Sequence, residues 1–203
     1  MTDASKRPAN APESITPSAT VGPYFAYGLT PGKDYPFRDM FGARIEAPDS
    51  SGRRIRIEGR VIDGDGTGIP DAVVEIWQAD ANGHYAHPRD TARPNTAFRG
   101  FARCGSRPDG SYAFETIKPG AIPASSDQKA QAPHVAVALF ARGMVRHVYT
   151  RIYFADEAAN AADPILVAVP AERRQTLIAR AEGGVYRFDI RIQGGDETVF
   201  FDL

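Results

Sequence analysis

Apolar and polar residues alternate with a period of two over much of the chain beyond residue 52. Ile55, Ile57 and Val61 alternate with Arg54, Arg56, Glu58 and Arg60, which predicts a strand with one face against a core. DGDGTG at 63–68 supplies turn residues, and AVVEIWQAD at 72–80 reads as a second strand that ends at a hairpin-type turn signal, Ala81-Asn82-Gly83. Further strands are expected at 98–104, 111–117, 134–141 and 146–154. The clearest run is 185–192, where Tyr186, Phe188, Ile190 and Ile192 face one way and Arg187, Asp189 and Arg191 the other. ETVFFDL at 197–203 is expected to close the chain as a last strand. One short helix fits 170–181, with Pro170 near its first turn and Leu177, Ile178 and Ala181 on its inner side. Many short strands with little helix predict an all-β fold, an antiparallel β-sandwich.

Ahead of this pattern the chain is different. Residues 1–14 are polar and rich in Pro and Ala, a composition that predicts a disordered tail. Residues 15–52 carry Pro17, Pro23, Pro31, Pro36 and Pro48, and between them Tyr24, Phe25, Tyr27, Tyr35, Phe37 and Phe41. Each proline removes a donor and restrains its predecessor, so a long non-regular N-terminal arm is predicted. Its aromatics need a surface to cover them, and a partner chain is the expected one. Residues 53–203 then form the β domain.

Composition narrows the function. The chain has 203 residues, 42% of them hydrophobic, enough for one domain with a full core. Lys+Arg 24 against Asp+Glu 25 gives a net charge of -1, which leaves no electrostatic footprint for nucleic acid or anionic lipid. Cys104 is the single cysteine, so no intrachain disulfide can form. MTDASKRPANAPES holds no apolar run of the secretory kind, and no segment approaches a membrane span of about 20 apolar residues. A soluble cytoplasmic protein is expected.

Few residues offer chemistry. GDGTG resembles a phosphate loop, but no helix follows it to supply free N–H groups, so it reads as a turn. Cys104 reads as a strand cysteine without a chemical role. The informative cluster is His84-Tyr85-Ala86-His87 after a turn, with His134 at the head of HVAVALF. A His-x-His pair on a strand would place two rings on one face, but the second place here is Ala136. One ligand on that strand falls short of the three or four a metal needs.

At these residues the chain resembles the intradiol ring-cleaving dioxygenases. The resemblance is carried by TPSATVGPYF (16–25), VEIWQADANGHYAH (74–87), FRGFARC and DGSYAFETIKPG within 98–120, APHVAVALFARG (132–143), RIYFAD (151–156) and YRFDIRIQGGDETVFFDL (186–203). It implies a family cofactor, Fe(III), bound by two Tyr and two His, whose hard phenolate oxygens favour a ferric Lewis acid that activates a chelated aromatic diol. The family's first Tyr is matched by Tyr85. Its second follows Lys-Pro-Gly, where this sequence reads KPGAIP, so Ala121 or Ile122 takes the place. The two His positions are matched by His134 and Ala136. The resemblance therefore implies a chain without iron, with Tyr85, Ile122, His134 and Ala136 as vestigial ligand positions and no catalytic residue of its own.

It further implies a partner, a homologous beta chain that bears the Fe(III) in an alpha–beta hetero-oligomer, and a small aromatic substrate. Arg142, in Ala-Arg-Gly, matches an arginine expected to meet a substrate carboxylate in the shared pocket, where a guanidinium fork suits a carboxylate. Thr20, Gly22 and Pro23 are expected to line the same pocket. Gly22 permits close backbone approach and Pro23 holds the arm rigid. Two alternatives stay open on the sequence. One is a self-sufficient enzyme that recruits His84 or His87 as replacement ligands. The other is a prealbumin-like binding sandwich, suggested by the DGDGTGIPDAVVEIW hairpin.

Overall fold

The structure, a computed structural model, describes residues 28–31, 41–45, 52–90, 98–126 and 128–202. Nine strands lie among them: β1 (Arg54–Ile62), β2 (Val73–Gln78), β3 (Phe101–Gly105), β4 (Ser111–Ile117), β5 (His134–Phe140), β6 (Val148–Phe154), β7 (Ile178–Glu182), β8 (Val185–Arg187) and β9 (Ile190–Arg191). They join in one sheet in the order β3-β2-β5-β6-β7-β8-β1-β4, with β9 also paired to β1. The expected excess of strand is present. The expected antiparallel sandwich is not, because the sheet is mixed and curled: β6 pairs β7, and β1 pairs both β8 and β9, in parallel. The parallel β6–β7 pair is possible because residues 155–177 carry the chain back as a crossover before β7 begins.

The curl has identifiable causes. β3 and β4 stand at opposite ends of the strand order, yet only the turn at 106–110 separates them, closed by Gly110 N–H donating to the Arg107 carbonyl. Residues 41–45 of the arm then join both ends. The Gly42 carbonyl accepts from Arg103 N–H in β3, and the Ala43 carbonyl accepts from Glu115 N–H in β4. Phe41 meets Phe101 edge-on at 4.9 Å, so this stretch of the arm packs on its own domain. Inside the curl lies the main core, with Ile57, Val61, Ile76, Phe114, Val137, Ile152, Phe154 and Tyr186 all buried. Buried Gln78 at the end of β2 ties the two sides. Its amide donates to the Ile117 carbonyl at 2.9 Å, and its oxygen accepts from the Thr116 hydroxyl at 2.9 Å.

Element boundaries depart from the sequence pattern at definable points. The run 185–192 keeps its alternation, with Tyr186, Phe188 and Ile190 buried, but it breaks into β8 and β9. At the break Phe188 N–H donates to the Glu58 carbonyl, and the Phe188 carbonyl accepts from the Tyr112 hydroxyl at 2.6 Å. A Cβ at Gly59 would lie 1.7 Å from that carbonyl oxygen, so only glycine admits this approach. The strand expected at 98–104 starts late, at Phe101, because Gly100 adopts a positive φ of 72°. Of the last strand expected at 197–203, the described residues 197–202 form no strand and pair with the sheet through the isolated Tyr149–Phe201 bridge.

The helix expected at 170–181 is displaced. A five-residue helix, α1, spans Pro164–Ala168, and 170–181 holds a 3-10 turn at Arg174–Leu177 followed by β7. Asp163 caps α1, its carboxylate accepting from Ile165 N–H at 3.0 Å and Leu166 N–H at 2.8 Å, with Pro164 at the first helical position. Pro170 instead holds Val169 extended and ends the helix. GDGTG is the turn expected, with the Asp63 carboxylate accepting from Asp65 and Thr67 N–H.

Candidate functional site

The site sits on the face of β2, β5 and β6 that points away from the main core. Trp77 lies opposite Ala136, Ala136 lies opposite Arg151, and one pair further along His134 lies opposite Tyr153. Neighbours such as Val135, Ile152 and Phe154 point the other way, into the core. A second apolar cluster, Ala132, Tyr153, Leu166, Val169 and Leu177, covers one side of this face.

Tyr85 reaches the face from the loop after β2. Two buried or half-buried carboxylates shape that loop. Asp80 accepts from Asn82 N–H at 2.8 Å and His84 N–H at 3.0 Å, and Asp90 accepts from Tyr85 N–H at 2.9 Å. The Tyr85 ring then stacks on Trp77, 6.0 Å between centroids and 9° between planes. Its hydroxyl comes within 3.3 Å of His134 Nε2.

His134 is 2% exposed, and its Nδ1 lies 2.8 Å from the Ala132 carbonyl. A carbonyl only accepts, so Nδ1 carries the proton and Nε2 of the neutral ring accepts from Tyr85. Burial, and then the positive charge of Arg151, push the His134 pKa down to about 4, which keeps the ring neutral at pH 7. Burial also raises the Tyr85 phenol, opposed by Arg151, so the phenol stays protonated and donates.

Arg151 completes the cluster. Its Nη1 donates to Gln131 Oε1 at 2.7 Å and stands 3.5 Å from the Tyr153 hydroxyl. Gln131 exchanges backbone hydrogen bonds of 2.9 and 3.0 Å with Ile122. Tyr153 donates to buried Asp163 at 3.0 Å, and burial raises its phenol well above the ordinary value.

Of the expected ligand positions, the structure thus brings Tyr85 and His134 together, with Ala136 on the same face and Ile122 connected through Gln131. This set does not fit ferric iron. Ile122 and Ala136 offer no lone pair, and the two remaining donors are bonded to each other. His84 and His87 are not joined to the pair. The His84 ring faces Asp90 at 3.3 Å, and His87 Nδ1 accepts from Arg89 N–H at 3.2 Å. Cys104 is half-buried in β3.

Arg142 is elsewhere. It follows the far end of β5, whereas His134 begins that strand, a separation of roughly 20 Å or more at about 3.3 Å per residue. Its side chain is 55% exposed and pairs with Asp71. Thr20, Gly22 and Pro23 lie outside the described residues, as does the tail at 1–14. Sequence reasoning missed Arg151, Gln131, Tyr153 and Asp163, since each gains its role from strand register or from the crossover.

The chain belongs to the intradiol dioxygenase family: the family model described as Dioxygenase matches residues 22–194. Within that family it is similar to the protocatechuate 3,4-dioxygenase alpha chain of Burkholderia cepacia, 49% identical over 197 residues, which is 93% of this chain and 97% of that one. It is also similar to the protocatechuate 3,4-dioxygenase beta chain of the same organism, 37% identical over 171 residues, 79% of this chain and 73% of the relative. Among solved structures, hydroxyquinol 1,2-dioxygenase from Pseudomonas putida DLL-E4 shares the fold at a TM-score of 0.60 and 19% identity, over 88% of this chain and 67% of that one. No helix among the described residues is long and apolar enough to cross a membrane.

Proposed function

We propose that this chain is the non-iron-binding alpha partner in a cytoplasmic protocatechuate 3,4-dioxygenase. With a homologous beta chain that holds the Fe(III), it cleaves 3,4-dihydroxybenzoate between its two hydroxyl-bearing carbons. Both atoms of dioxygen enter the product, 3-carboxy-cis,cis-muconate. The observation that carries this reading is the state of the four ligand positions, Tyr85, Ile122, His134 and Ala136. Two lack donors, and the other two satisfy each other at 3.3 Å.

The role of this chain is then to complete the partner's pocket. Arg142 supports this, because it stands at the opposite end of β5 from the Tyr85–His134 pair and cannot serve both. It is exposed, and its surface ion pair with Asp71 is weak enough to exchange for a substrate carboxylate. Thr20, Gly22 and Pro23 are proposed to line the same pocket. The carboxylate lies across the ring from the diol, so Arg142 binds and orients substrate while the bond changes happen elsewhere.

Co-expression with a beta chain tests the reading. Iron and ring cleavage should appear in the complex and be absent from this chain alone. A self-sufficient enzyme would need His84 or His87 at the pair, and both rings are engaged within their own loop. The prealbumin-like binding module is superseded by family membership.

A further inference from the structure

Arg151 is linked to both positions that lack a donor, to Ala136 by strand register and to Ile122 through Gln131. Ala136 lies directly opposite Arg151 across the β5–β6 ladder, and opposed residues on one face start about 5 Å apart at Cβ. An alanine there leaves room on the face that an imidazole would fill. At the other position, Ile122 is locked by two backbone bonds to Gln131, and the Gln131 side chain accepts from Arg151 Nη1 at 2.7 Å. The guanidinium also approaches Tyr153, which faces His134 across the same ladder. None of the ion pairs among the described residues involves Arg151.

We infer that Arg151 is an internal cation that stands in for a metal ion in this cluster and excludes one from it. A guanidinium hydrogen-bonded across a half-buried site repels a second cation at short range, and the repulsion is strengthened where water is partly excluded. Loss of two ligands and gain of Arg151 are then one exchange. Restoring the ligands without removing the arginine leaves a site that still rejects iron. This inference rests on the reading of Tyr85, Ile122, His134 and Ala136 as ligand positions.

The test uses the full chain carrying Ile122→Tyr and Ala136→His, either with Arg151 intact or with Arg151→Lys or Arg151→Gln added. Each protein is exposed to ferrous iron in air and desalted. Iron per chain and the visible tyrosinate-to-iron band are then measured. Arg151→Met in the same background replaces the Gln version if that one does not fold. The versions keeping Arg151 or a lysine should hold no stoichiometric iron and stay colourless. The Gln or Met version should approach one iron per chain and show the band. Equal iron in the version that keeps Arg151 would overturn the exclusion while upholding the ligand positions. Absence of iron from the folded Gln and Met versions would overturn the ligand positions, and the inference with them.

Discussion

The Tyr85 hydroxyl and His134 Nε2 face each other at 3.3 Å, joining two residues 49 positions apart that resemble metal ligands and now hydrogen-bond to each other. Stacking on Trp77 orients the phenol, and the Ala132 carbonyl fixes the imidazole tautomer. Under the proposed function the pair is structural, and Tyr85→Phe should lower stability by about 1 kcal/mol, the typical contribution of one neutral hydrogen bond. Urea unfolding measures that cost. Turnover of the complex with the beta chain should not change, and a tenfold loss of kcat would mean that the pair takes part in the chemistry.

Asp163 carries more of the fold than its place in a crossover suggests. Its carboxylate is 1% exposed and accepts from the Tyr153 hydroxyl, from Ala132 N–H and from two N–H groups of α1. Asp163→Ala leaves those donors unpaired and should cost at least about 3 kcal/mol. Asp163→Asn keeps one acceptor oxygen and should cost less. Equal unfolding midpoints for wild type and Asp163→Ala would refute this role.

Gly59→Ala tests the break between β8 and β9. The added methyl would meet the Phe188 carbonyl at 1.7 Å, with the Tyr112 hydroxyl 3.0 Å away. Relief requires moving β8 or losing the Tyr112–Phe188 bond, and destabilisation of roughly 3 kcal/mol is expected. Thermal unfolding reads it directly.

Arg142→Ala should raise KM for protocatechuate roughly ten- to hundredfold in the assembled enzyme, the equivalent of one charge-assisted hydrogen bond. The change in kcat should be smaller, because carboxylate binding is nearly uniform along the reaction. Catechol has no carboxylate, so its turnover should be insensitive to the substitution. Equal losses on both substrates would assign Arg142 to holding the assembly together.

Much of this was legible in the sequence where a local rule governs. Residues 111–117 form β4 with the expected ends, because alternation starts at a turn and no long-range contact overrides it. Burial at 185–192 followed the pattern as well, but the break did not, since it depends on Gly59 in β1, far away in sequence with β2 to β8 between, yet adjacent in space. The helix was misplaced because Asp163-Pro164 is a short signal beside the more conspicuous proline at 170. The parallel pairings were invisible, since a crossover of short turns carries no helical periodicity. At the site, Tyr85 and His134 could be named from the resemblance. Arg151 could not, because its meaning is a register relation with Ala136, a residue notable for what it lacks.

The central claim is that this chain shapes a pocket whose iron belongs to another chain, and metal analysis of separated and assembled chains tests it most directly. The account predicts no stoichiometric iron and no visible charge-transfer band for this chain alone, with iron, colour and protocatechuate cleavage in its stable complex with the beta chain. Near one equivalent of iron on the isolated chain, or two chains that stay apart at micromolar concentration, would contradict it.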